Sequence, residues 1–136
     1  MEDKYFTPDI EDLKVGYECE LDYYTVTATS HNQGWRNYII NRDVDFQTMF
    51  KAIDSKKIRT PHLTKEQIEA EGWKETSKCN YEKIDSNITS YYGNDHYLWI
   101  MHPATTVLGE KYLANSFKGE CKSINEFRYI CKLLKI

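Results

Sequence analysis

Three carboxylates recur at two-residue spacing in Glu18, Glu20 and Asp22. On an extended strand that spacing puts all three on one side, the kind of oxygen array that serves a hard cation such as magnesium once a fourth oxygen joins it. A solvated outer sheet face is the commoner use of such a row, and no metal is expected. His96 and His102 share strand parity around Trp99. Six residues of extended chain separate them by about 20 Å, so they do not share one metal while the strand is straight. Their ordinary role is at strand ends rather than as an acid/base pair. Cys19, Cys79, Cys121 and Cys131 form no C-x-x-C pair and have no histidine at zinc-finger spacing. Cys19, Cys121 and Cys131 fall on apolar faces and read as core thiols.

The larger supply is aromatic. Of 136 residues 11 are tyrosines, and Trp35, Tyr38, Tyr91, Tyr92, Tyr97, Trp99 and Tyr112 lie in expected strands or turns. With Arg36 and Arg59 nearby as partners for anions, such side chains stack a base or anchor a protein. A small domain also needs aromatics for its core, and Trp99 and Tyr38 are assigned there. The candidate binding residues are therefore Trp35, Arg36, Arg59, Tyr91, Tyr92, Tyr97 and Tyr112. No phosphate loop, dinucleotide turn, nucleophile elbow or H-E-x-x-H helix occurs, so no catalytic residue and no cofactor is expected.

These residues need a scaffold, and the length fits one domain spanning residues 1–136. A net charge of −3, from 18 basic and 21 acidic residues, lacks the broad basic footprint of a phosphate-dominated nucleic-acid binder. No apolar run reaches the length of a membrane span, and Met1-Glu2-Asp3-Lys4 is not the start of a signal peptide, so the cytoplasm is the expected compartment. Asn87-Ile88-Thr89 matches a glycosylation sequon that such a chain would not use.

Residues 17–24 alternate apolar with acidic and predict a strand. The β-favouring residues 25–29 and the turn-rich 31–34 then predict a hairpin returning over 35–40. Asp45 is a plausible N-cap for a helix whose stripe is Phe46, Met49, Phe50 and Ile53; Lys51, Lys56 and Lys57 complement its dipole. Residues 59–62 should be extended before Pro61 and His62. Thr64-x-x-Gln67 is a capping box for a short helix stopped at Gly72. Residues 73–92 predict a meandering strand and loop, 91–95 a turn, and 96–101 a strand bounded by Pro103. Residues 112–122 are extended, with Gly119 a bulge, twist point or close-packing site. Ser123-x-x-Glu126 is a second capping box, opening a helix with stripe Phe127, Ile130, Cys131 and Leu134. The fold class is α+β: a small, mostly antiparallel sheet with two to three helices, the last packed on the sheet.

The opening from Phe6-Thr7-Pro8 to Glu18-Cys19-Glu20 resembles the start of small accessory proteins of tailed phages and mobile elements of Bacteroides-type gut bacteria. The segment Ile58-Arg59-Thr60-Pro61-His62-Leu63-Thr64, continuing through the acidic short helix to Gly72-Trp73, is similar to a module of those proteins, as is Phe117-x-Gly119 followed by Ser123-Ile124-Asn125-Glu126-Phe127. The resemblance covers about half the chain and concerns scaffold. It implies a phage accessory protein in the host cytoplasm, a binder or modulator, of host defence for example, rather than an enzyme. The expected function is thus non-enzymatic docking on a host or phage protein. The alternative is a nucleotide or nucleic-acid binder using stacked tyrosines with Arg36, Arg59 and the Lys56-Lys57 pair.

Overall fold

The computed structural model describes residues 4–22, 34–41, 46–93 and 95–136, and of residues 46–48 the backbone only. It is α+β and mostly sheet: two antiparallel sheets with three α-helices and one short 3-10 turn among the described residues. The contacts divide the chain into two compact units, Met1–His62 and Leu63–Ile136. The buried apolar residues form two clusters, one in each unit.

In the first unit the strands β1 (Tyr5–Phe6), β2 (Glu18–Asp22), β3 (Trp35–Ile39) and β4 (Ile58–Pro61) are ordered β1-β4-β2-β3. The expected hairpin is present in the antiparallel register Glu18 to Ile39 through Asp22 to Trp35. Its turn at 31–33 and the flanking residues from 23 lie outside the described residues, as does the Asp45 cap. Cys19 and Leu21 are buried while Glu18, Glu20 and Asp22 point to the other face, as alternation requires.

Helix α1 (Phe46–Asp54) supplies Met49 and Ala52, each 4% exposed, to the same core as Tyr17, Ile40 and Ile58. Phe50, expected in the stripe, is 49% exposed. The buried line runs Met49, Ala52, Ile53, which rotates the helix by one position from the line drawn through the bulkiest residues. Thr60 is fully buried on β4, and its hydroxyl is 2.8 Å from the Tyr17 hydroxyl.

The second unit is a meander, β5 (Trp73–Ser77), β6 (Asn80–Lys83), β7 (Thr89–Tyr92), β8 (Tyr97–Thr105) and β9 (Lys111–Glu120), in sequence order. Ahead of it, α2 (Lys65–Ala70) carries the full reciprocal capping box of Thr64 and Gln67, and Gly72 follows at φ +93°. After it, α3 (Ile124–Leu134) buries Ile124, Phe127 and Ile130 against Leu98, Ile100, Tyr81 and Trp73. The Phe127 and Trp73 rings meet edge-on with centroids 6.0 Å apart. A left-handed Lys135 closes the helix, with the Ile136 N–H donating to the Cys131 carbonyl at 3.0 Å and the Ile136 side chain folded onto the core.

Three local expectations are corrected, and a fourth, open between alternatives at Gly119, is narrowed to one of them. Tyr91 and Tyr92 are strand residues rather than turn residues, because β7 pairs Tyr91 with Trp99 and Tyr92 with Leu98. Strand β8 runs through Pro103 instead of stopping before it; β7 pairing ends at Thr89 with Met101, so the missing proline N–H faces no partner strand. The bulge of β9 is at Ser116, between Phe117 opposite Ile100 and Asn115 opposite Met101. Gly119 is a close-packing site, since a Cβ there would lie 3.2 Å from the Phe117 ring. Ser123 makes no side-chain cap; Glu126 reaches back one residue further and accepts from the Lys122 N–H at 2.7 Å.

Phe127→Ala should cost about 3–5 kcal/mol of stability through the cavity it leaves, whereas Phe50→Ala should cost less than about 1 kcal/mol. Urea unfolding of the two variants checks both, and equal losses would contradict the burial assigned to α1.

Candidate functional site

Helix α3 covers one face of the five-stranded sheet and thereby fixes which residues are left on the other. Residues directly opposite each other on neighbouring strands share a face, so the row Asn80, Tyr91, Trp99, Lys118 runs across β6 to β9 on the side away from Leu98 and Ile100. Tyr97 and Glu120 form the next row, and Glu82, Thr89, Met101 and Asn115 the row on the other side. Tyr91 and Tyr97 are 37% and 38% exposed. Trp99, expected in the core, is half-buried on this outer face instead, because its neighbours Leu98 and Ile100 already fill the inward positions.

The Trp99 ring is held rather than loose. Its Nε1 donates to Asn115 Oδ1 at 2.6 Å, and Lys118 Nζ lies 4.4 Å from a ring centroid. Two other sequence candidates are elsewhere. Tyr92 points to the helix side, where its hydroxyl donates to the Cys121 carbonyl at 2.9 Å and lies 3.2 Å from His96 Nδ1; burial pushes its phenol well above the usual range. Tyr112 is opposite Ala104 on the exposed two-stranded ribbon formed where β8 and β9 continue beyond β7, on the inner side by strand parity.

The first unit brings together Trp35 and Arg59, and adds Tyr5 and Glu20. The Arg59 guanidinium carbon lies 3.7 Å from the Tyr5 ring centroid and 4.2 Å from a Trp35 ring centroid. Arg59 Nε and Nη2 both donate to Glu20 Oε1, at 3.0 and 2.8 Å. A guanidinium clamped between two rings and tied to a carboxylate is already engaged. Lys57 pairs with Asp22 at 3.5 Å, and Arg36 is exposed opposite Leu21. The acidic row therefore meets cations of the neighbouring strand and of the residue before it. Among the described residues, no three His, Cys, Asp or Glu side chains gather as a metal site.

Three of the four thiols are made less reactive by burial. Burial pushes the Cys19 thiol up to about 12 and the Cys131 thiol up to about 11, and raises Cys121 further, the opposite of thiolate activation. His102 Nδ1 is hydrogen-bonded to the Ser116 hydroxyl, so the bulge residue is used to hold it. His96 precedes β8 in a left-handed turn at φ +57°. Among the described residues, no helix is long and apolar enough to cross a membrane. Tyr5 and Asn115, both central to the groupings found here, were not among the sequence candidates. Their signal was register, which pairs Tyr5 with Pro61 and Asn115 with Met101, and register is invisible before the strands are aligned. The chain matches no family model, no curated protein and no solved structure.

Removing Arg59 leaves the largely buried Glu20 carboxylate without its donor, so Arg59→Ala should cost about 1–3 kcal/mol in urea unfolding. Iodoacetamide at pH 8 should modify the half-buried Cys79 before Cys131, with Cys19 and Cys121 reacting only as fast as their unit unfolds; mass mapping over time checks that order.

Proposed function

We propose that the chain is a non-enzymatic binding protein that docks a protein partner on the outer face of the five-stranded sheet. The observation that carries this reading is the adjacency of Tyr91, Tyr97 and Trp99 on the face that α3 does not cover. Rigid aromatic anchors of this kind dominate protein interfaces because they bring large contact area at little entropic cost. The charges that flank them are mixed: Lys118 and Lys74 against Glu82 and Glu120. A polyanion would be served by one sign. Two of the four cations that a nucleotide reading needs from the first unit are committed, Arg59 to Glu20 and Lys57 to Asp22, which favours the protein partner.

The resemblance of the opening strand module and the short-helix segment to phage accessory proteins supports a host or phage protein as that partner, met in the host cytoplasm. Tagged protein should retain one stoichiometric, nuclease-resistant partner from host lysate. Trp99→Ala and Tyr91→Ala, checked for an unchanged fold by thermal melting, should each lose it at least tenfold, while Lys56→Ala should retain it. Retention by both aromatic variants, or loss on nuclease treatment, would refute the reading.

A further inference from the structure

We infer that the second unit holds a small phosphate-type oxyanion in a cleft beside α3, on residues that the docking face does not use. Glu71, Trp73, Lys83, Arg128, Cys131, Lys132 and Ile136 line a cleft of about 180 Å³. That is below the roughly 300 Å³ of pockets that take drug-sized molecules, so its occupant is a single small ion or group. Lys83, Arg128 and Lys132 share it with the Glu71 side chain.

The cations come from two elements and are set in place by the fold. Arg128 and Lys132 stand one turn apart on α3, whose other side is pinned by Phe127 and Ile130. Lys83 ends β6 and leans over the Trp73 indole, its Nζ 5.5 Å from a ring centroid. Arg128 Nε donates to Glu71 Oε1 at 2.8 Å, which orients the guanidinium.

Lys83 is the decisive member. Its ammonium has three donors, and among the described residues its acceptor is the Glu71 backbone carbonyl at 2.8 Å, a neutral group. Lys83 is half-buried, and among the described residues no carboxylate forms an ion pair with it. Lys132 stands exposed at the rim and forms no ion pair among the described residues. An oxyanion seated between Lys83, Arg128 and Lys132 would accept charge-assisted hydrogen bonds from several directions, which suits a tetrahedral dianion better than a planar carboxylate.

The test is a proton–nitrogen NMR titration of the whole chain with inorganic phosphate at fixed ionic strength, with chloride and acetate as comparison anions. Phosphate should shift the Trp73 indole N–H and the Gly72, Lys83 and Lys132 amides along one saturating curve. The apparent affinity should fall about tenfold in Lys83→Met, corresponding to one charge-assisted hydrogen bond. It should fall by a similar factor in Lys132→Met, an exposed change that leaves the core intact. Shifts that rise linearly without saturating, that acetate or chloride reproduces at equal concentration, or that survive unchanged in both variants would overturn the assignment.

Discussion

The second unit depends on the contact of Phe127 with the inner face of its sheet. An antiparallel sheet of five strands has two faces, and a single eleven-residue helix covers one. Phe127, fully buried, meets Trp73 from β5 and packs in the same cluster as Leu98 and Ile100 from β8, so one side chain ties the first strand of the meander to the fourth through the helix. That contact decides the rest. It orients α3 so that Arg128 and Lys132 flank Trp73 and Lys83, and it leaves Tyr91, Tyr97 and Trp99 on the uncovered side.

The first unit handles the same geometric problem by other means. Its α1 packs Met49 and Ala52 beneath the sheet, while the opposite face carries Tyr5, Arg59, Glu20, Trp35, Asp22 and Lys57. Here polar groups are paired laterally across strands and the aromatic rings are spent on the guanidinium between them. Surface ion pairs alone stabilise little. The Arg59–Glu20 pair differs in being partly buried and in having the Tyr5 and Trp35 rings against the cation, which restrains β4 against β2 and β1.

How much of this was legible depended on whether the signal was local. The Thr64 capping box is four residues long and formed as read, and so did the terminal helix stripe from Phe127 to Leu134. Phe50 was misassigned because periodicity constrains a helix face only to within one position, and tertiary packing selected the smaller Ala52. The stretch 73–92 concealed three strands because each contributes few residues to the core, Trp73 from β5, Tyr81 from β6 and Ser90 with Tyr92 from β7. Its turns are equally quiet: the β5–β6 hairpin turns on Lys78 and Cys79, with Cys79 left-handed at φ +66° where glycine or asparagine is the usual cue. The candidate residues Trp35 with Arg59, and Tyr91 with Tyr97, were brought together in pairs, but which pairs form is a matter of strand register that no local pattern encodes.

A catalytic centre concentrates groups whose protonation is tuned toward neutrality. In this chain burial moves the thiols of Cys19, Cys121 and Cys131 away from it. Trp99 is fixed in advance by Asn115 and Lys118, so that a partner meeting it would lose little side-chain entropy, and Tyr91 lies directly across the strand boundary from it. The proposed docking surface rests on this difference: Trp99 fixed by its neighbours with an exposed Tyr91 beside it, against a buried and saturated aromatic such as Tyr92.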